Sequence, residues 1–397
     1  MKATLNVLFL IAMILNINFS YSNPSSENPI KNKLEGVMNA ACSTKNFSGA
    51  VLIAFDRKII FENVCGLANR SFEVNNNIET KFNLGSVGKL FTSIAIAQLV
   101  QKNKISLSSP VYQIIPGWLP NDEQSKKITV GQLLTHSSGL GNFMDDKRWK
   151  LGADSGLYIK IKDYKPLIHD DKLLFIPGTH QLYSNNGYIV LGAIIEAVTH
   201  ISYREYLEKN IFKPADMRDT GIWSLDEVVP NRSEGYFKIC VNTKCHWKNN
   251  NYEAPFIGSP AGGAYSTIID MLKFSEILHR NILVSPELTK EILSTHIIPA
   301  SHDIEIKKYK IDGLRIPEDF SHYGFAGAWN KYGFAVWENP LLLGHTGGIQ
   351  GASAFFANSP GNKYTIIILS NMSGSEPIRL YMNIRRILGF STTIINY

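Results

Sequence analysis

Residues 82–92 read Phe82-Asn83-Leu84-Gly85-Ser86-Val87-Gly88-Lys89-Leu90-Phe91-Thr92. The apolar run 90–100 that follows Gly85-Ser86 reads as a buried helix. Ser86 then stands at its N-terminal end with Lys89 one turn on, and residues three apart share a helix face. A helix N-terminus also offers free N–H groups and a positive partial charge. A serine hydroxyl is a poor nucleophile at neutral pH unless a base lies within hydrogen-bond reach. A lysine serves if burial and positive neighbours lower its pKa. Leu84, Leu90 and Phe91 supply apolar surroundings. Ser-x-x-Lys alone recurs by chance in many chains. Its force comes from two further strings that follow in order.

The second is Tyr183-Ser184-Asn185, between the turn signal Phe175-Ile176-Pro177-Gly178 and a helical segment. Read blandly, it is a loop with a capping Ser or Asn. Read as chemistry, Tyr183 transfers a proton and Asn185 hydrogen-bonds a substrate. The third is His345-Thr346-Gly347-Gly348, which closes the apolar run 341–345. It reads as a strand ending in a glycine turn, or as an edge where glycines let a substrate approach the backbone.

Outward from these strings, a helix is expected over 30–41, and β-like runs over 47–55 and 58–65 around an Asp56-Arg57 hairpin turn. Helical segments are expected over 130–134, 187–198, 203–211 and 268–278. The β pattern returns over 332–338, 341–345, 352–357 and 364–369, before a last helix over 377–388. Both ends of the chain would therefore build one antiparallel sheet flanked by the first and last helices. The sheet part is expected at about 29–85 and 325–397, with a mainly helical region at about 86–324 inserted. No repeat of fixed period is visible.

The chain has 397 residues and is 44% hydrophobic, enough for a large core. Charged residues are 19% and no long low-complexity tract occurs, which excludes wholesale disorder. The net charge of +6 is dispersed, so no nucleic-acid partner is expected. Met1-Lys2, an apolar stretch over 5–17 and small residues at Ser20 and Ser22 read as a signal peptide, 1–22, with 23–397 mature. That stretch is short for a membrane span and no later one is long enough, so the mature chain is expected to have no stable span. Export, periplasmic or secreted, would bring four cysteines into an oxidising compartment. Cys240 and Cys245 flank the turn-like Val241-Asn242-Thr243-Lys244 and suit a cross-hairpin bridge. Cys42 and Cys65 are left either to pair by elimination or to stay as buried free thiols. Metal-ligand spacing is absent, so no metal or other cofactor is expected. His169-Asp170-Asp171 reads as a solvated polar loop, and His136 as a residue that caps or packs a loop.

These strings resemble the serine β-lactamase and penicillin-binding protein superfamily, within it the class C β-lactamase, DD-peptidase and esterase branch. Residues 82–92 look like its nucleophile segment. Leu133-Leu134-Thr135-His136-Ser137-Ser138-Gly139-Leu140 is similar to a recurrent framework segment. Pro177-Gly178, Tyr183 to Tyr188 and Leu191-Gly192 follow its pattern, as does Pro260-Ala261-Gly262-Gly263-Ala264-Tyr265-Ser266-Thr267. The resemblance implies an α/β (α+β) fold with an antiparallel five-stranded sheet. It implies that Ser86 is acylated and that Lys89 and Tyr183 share base and acid work. Asn185 would bind the substrate amide, His345 and Thr346 would face the substrate's far end, and the Ser86 and Gly348 N–H groups would form an oxyanion hole. The family's usual Lys-Thr-Gly is replaced by His345-Thr346-Gly347, and a histidine is largely neutral at pH 7. A weaker grip on a substrate carboxylate follows. The expected activity is DD-peptidase-like hydrolysis of D-amino-acid peptides or amides, at small-molecule or peptide substrates. The alternatives are a carboxylesterase or weak class C-like β-lactamase, and a non-catalytic penicillin-binding or sensor protein. The intact Ser86, Lys89 and Tyr183 argue against the last. No Gly-x-Ser-x-Gly string supports the main competing hydrolase fold.

Overall fold

A computed structural model describes residues 29–45, 47–152, 156–241, 244–293, 343–359 and 363–390. The run 47–55 is apolar at nearly every position, which suits a strand buried on both faces. It forms β1 (Gly49–Phe55), joined to β2 (Lys58–Cys65) by Asp56 and Arg57, whose φ of 45° and 66° match a tight primed turn. From the other end of the chain come β5 (Leu343–Ile349), β6 (Ala352–Asn358) and β7 (Tyr364–Ser370). These make a five-stranded antiparallel sheet in the order β2-β1-β7-β6-β5. Gly49 pairs with Ser370, so the chain's two ends meet at the sheet centre.

One face is covered by α1 (Pro29–Ser43) and α5 (Glu376–Ile387). Leu34 and Met38 of α1, with Leu380 and Ile384 of α5, pack on Val51, Ile53, Ile366 and Ile368. The alternate residues Ala50, Leu52, Ile367 and Leu369 face the larger core of the inserted region. That core centres on α2 (Lys89–Gln101), which is buried on every side from Lys89 to Leu99. Against it pack α3 (Asn185–Thr199) and α4 (Ile268–His279). A separate ribbon, β3 (Tyr236–Val241) with β4 (Lys244–Asn249), stands out from the body.

Both cysteine pairs are disulfides, Cys42–Cys65 and Cys240–Cys245. The segment 203–211 is helical throughout, α over Tyr203–Leu207 and π over Glu208–Phe212. One expectation shifts. The strand expected to stop at His345 runs on to Ile349, because Gly347 and Gly348 pair with Ala354 and Ser353. The expected leader 1–22 and the run 332–338 lie outside the described residues.

Candidate active site

Ser86 lies on a single 3-10 turn, Gly85–Gly88, that leads into α2. The turn is gripped from two sides. Leu84 N donates to Ala264 O at 2.8 Å and Gly263 N donates to Gly85 O at 3.0 Å, so the 258–264 loop lies along it. Gly262 takes φ +144°, and a Cβ there would stand 2.5 Å from Gly85 O. On the other side is β5, where a Cβ added to Gly85 would stand 2.8 Å from Gly348 N. Among the described residues nothing lies within 4 Å of where a Cβ on Gly348 would stand.

Ser86 Oγ sits between two proton-bearing groups. Tyr183 OH donates to it at 2.8 Å, and Lys89 Nζ lies 3.3 Å away. Lys89 is fully buried and its pKa is driven well below the ordinary lysine value by desolvation. Two other atoms contact its nitrogen: Asn185 Oδ1 at 2.7 Å and the carbonyl oxygen of Ala261. Both can only accept, so each takes one N–H of Lys89. In the neutral form that desolvation favours, the lone pair would then face the Ser86 hydroxyl. Burial raises the Tyr183 pKa, so the phenol keeps its proton. Tyr183 OH, Ser86 Oγ and Lys89 Nζ thus form one chain of hydrogen bonds.

The loop carrying Tyr183 is fixed by its neighbours. Ser184 caps α3, its Oγ accepting from Gly187 N at 3.0 Å and donating to Gly141 O at 2.8 Å. Asn185 Nδ2 donates to Asn142 Oδ1 at 3.1 Å, which leaves its Oδ1 turned to Lys89. The loop packed by His136 is this one. His136 O accepts from Leu182 N at 2.9 Å and His136 Nδ1 accepts from Ser184 N at 3.1 Å. Its ring lies 4.7 Å from the Tyr183 ring and 5.1 Å from that of Tyr188. Burial, then the nearby Lys89 and His345, hold His136 well below its usual pKa.

His345 pairs with Phe356 across the sheet and faces the same side as Lys89. It is 1% exposed, and its Nδ1 contacts the Thr346 carbonyl oxygen. Its Nε2 is buried with no hydrogen-bond partner among the described residues. Burial and then Lys89 push its pKa down to about 3, so it is neutral in the ordinary range. Thr346 takes the opposite face of β5, paired with Phe355. Among the described residues no hydrogen bond links its hydroxyl to Ser86, Lys89 or Tyr183. Sequence reasoning gave no role to the Ala261 carbonyl, to Asn142 or to Gly262. The Gly262-Gly263 pair was their one visible signal.

Residues 33–389 match the family model described as beta-lactamase. The chain belongs to the beta-lactamase family. Penicillin-binding protein PbpX of Bacillus subtilis is 32% identical over 240 residues, which are 58% of this chain and 55% of that protein. That match therefore spans about half of the relative's length. Teichoic acid D-alanine hydrolase of Staphylococcus aureus is 24% identical over 356 residues, 90% of this chain and 77% of the relative. The crystal structure of a penicillin-binding protein from Bacillus halodurans superposes with a TM-score of 0.71 at 27% identity, covering 90% of this chain and 99% of that one. This member of the beta-lactamase family is a serine hydrolase.

Proposed function

We propose that this protein is an exported hydrolase that forms an acyl-enzyme at Ser86 and acts on D-aminoacyl amides and esters, wall peptides of D-amino acids included. The observation that carries this reading is Ser86 Oγ held between Lys89 Nζ and Tyr183 OH, at 3.3 and 2.8 Å. Neutral Lys89 takes the hydroxyl proton as Ser86 Oγ bonds to the acyl carbon. The oxyanion that develops is met by the N–H groups of Ser86 and Gly348. Tyr183 then gives its proton to the leaving atom. The new Lys89 ammonium, whose nitrogen stands 4.7 Å from the Tyr183 ring centroid, stabilises the phenolate and restores its proton. The same pair deprotonates water to release the acid.

The neutral His345 favours donors without a carboxylate beside the scissile bond. That supports D-aminoacyl esters and amides over efficient hydrolysis of penicillins. The S. aureus relative, named for hydrolysis of D-alanine on teichoic acid, supports the same substrate class. Export is supported by the leader-like residues 1–22 and by the two disulfides. Among the described residues no helix is long and apolar enough to cross a membrane.

The test is intact-mass spectrometry after mixing with a D-alanyl ester and, separately, an organophosphonate, followed by peptide mapping. A covalent adduct on Ser86 that Ser86→Ala removes is expected. An adduct elsewhere, or one retained in Ser86→Ala, overturns the assignment.

A further inference from the structure

The Ala261 carbonyl that contacts Lys89 Nζ is held in place from behind. Thr92 follows Lys89 by three residues on α2, so the two side chains share a face. Thr92 is wholly buried, and its hydroxyl donates to Pro260 O at 2.7 Å, one residue before Ala261. The same hydroxyl lies 2.6 Å from the phenol oxygen of Tyr203. A threonine hydroxyl has one proton and a carbonyl can only accept. With that proton on Pro260 O, Tyr203 must be the donor to Thr92. Burial raises the Tyr203 pKa, which keeps the phenol protonated for this bond.

Both ends of this chain are anchored. Glu196 Oε1 of α3 accepts from Tyr203 N at 3.0 Å. Gly192, one turn earlier on α3, leaves room for the Pro260 ring, which a Cβ there would overlap. The loop 258–264 therefore meets α2 and its leading turn at three points. Gly263 N donates to Gly85 O at 3.0 Å, Ala261 O contacts Lys89 and Pro260 O accepts from Thr92. The middle contact bears on the proposed base. Releasing Pro260 O would let Ala261 O swing away from Lys89, and the amine would lose one of the two acceptors that set its rotation.

We propose that Thr92, oriented by Tyr203, is a positioning residue for the base: its hydroxyl latches Pro260 so that Ala261 O keeps Lys89 Nζ aimed at Ser86. The proposal rests on the hydrolase reading for its effect on rate, whereas the latch itself is a contact that needs no substrate. A bond that only satisfied the core would change stability and leave the chemical step alone. A bond that aims the base changes kcat and leaves substrate binding alone.

Thr92→Val keeps the side-chain shape and removes the hydroxyl, and Thr92→Ser keeps the hydroxyl. With a chromogenic ester, Thr92→Val should lower kcat about 10- to 100-fold, the cost of a misplacement of up to about 1 Å, with KM unchanged. Thr92→Ser should stay within about threefold of wild type, and Tyr203→Phe should lose about 3- to 10-fold, the scale of one hydrogen bond. Because Tyr203 acts through Thr92, the double variant should be no slower than Thr92→Val alone. Hydrogen exchange at Gly263 N–H, read by mass spectrometry, should quicken about 3- to 10-fold in Thr92→Val and not in Thr92→Ser. The control Thr365→Val removes a buried hydroxyl that donates to Asn358 Oδ1 at 2.9 Å; it should lower the melting temperature and leave kcat unchanged. Wild-type kcat in Thr92→Val, an equal loss in Thr92→Ser, the same kcat loss in Thr365→Val, or additive losses in the double variant would each overturn the proposal. Should Thr92→Val fail to fold, Tyr203→Phe decides, and wild-type kcat and exchange there overturn it. A wild type that takes no phosphonate on Ser86 would refute the hydrolase assignment, and the exchange result would still decide the latch.

Discussion

Gly262→Ala tests how the nucleophile is held. The substitution adds one methyl group at φ +144°, a backbone conformation that L side chains rarely adopt. The new Cβ would stand 2.5 Å from Gly85 O and 3.1 Å from Ser86 Cα. A carbon and a carbonyl oxygen ordinarily stay roughly 3.3 Å apart or more, so the loop and the turn must part by about 0.8 Å. Backbone strain of this kind costs about 1–3 kcal/mol, which lowers the melting temperature by a few degrees (~2–4 °C per kcal/mol in a chain somewhat shorter than this). The catalytic effect is larger than the thermal one. A misplacement near 1 Å costs on the order of 100-fold in rate, so kcat/KM for a chromogenic ester should fall about 30- to 100-fold. Phosphonate labelling of Ser86 should slow in parallel. Gly36→Ala is the matched control: it lies in α1 and its Cβ would meet nothing within 4 Å. It should stabilise by roughly 0.5–1 kcal/mol and leave turnover unchanged. Wild-type turnover and melting in Gly262→Ala would refute the idea that the 258–264 loop clamps the nucleophile.

The other expectations concern protons and charge. Tyr183→Phe removes the 2.8 Å donor to Ser86 Oγ and should cut kcat by about two to four decades; a rate within threefold of wild type would assign proton transfer elsewhere. Burial lowers the Lys89 pKa in the folded chain well below its unfolded value. The unfolded chain therefore binds the extra proton, and wild-type stability falls as pH drops from about 10.4 toward the folded pKa, below which the loss is constant. Lys89→Met should abolish turnover yet melt higher than wild type at pH 7, with the gap closing toward pH ~10.4; a lower melting point at pH 7 would mean the amine is not destabilising. His345→Lys should improve KM about tenfold for substrates bearing a carboxylate, the scale of one charged hydrogen bond, and leave uncharged esters alone. Equal changes in both would remove charge as the reason.

Much of this arrangement was legible in the sequence because it rests on local patterns. The all-apolar 49–55 run, the Asp56-Arg57 turn and the apolar 90–100 segment each dictate one element. The order of three short strings is what drew Ser86, Lys89 and Tyr183 together across 97 positions of chain. The rest depends on backbone atoms or on packing, and neither leaves a residue-type signature. The Ala261 carbonyl could be any residue's. The link from His136 to the Tyr183 loop runs through Leu182 N and Ser184 N, main-chain groups that every non-proline residue carries. The end of β5 was misplaced because Gly347-Gly348 reads as a turn. In the fold both glycines stay in the ladder, and at Gly347 the lack of a side chain lets the Leu84–Ser86 backbone lie against the strand.

The charge state of the site follows from what is and is not packed there. Three basic groups, Lys89, His136 and His345, are buried close enough to shift one another's pKa, and desolvation is the largest cause for each. No carboxylate figures among those causes. A buried cation without an acid is costly, so desolvation favours the neutral form of all three groups. Under the proposed mechanism, attack on the acyl carbon changes that at once. It creates a lysine ammonium and an oxyanion together, in a region from which water is largely excluded. Opposite charges that appear only in the transition state attract strongly there, whereas a resting ion pair would stabilise the ground state as well and gain nothing. The same reasoning bears on histidine in the third string. An ammonium at 345 would lower the Lys89 pKa further, since like charges disfavour one another. With His345 neutral, desolvation alone holds the Lys89 pKa down, and the site gives up a fixed cation for a substrate carboxylate.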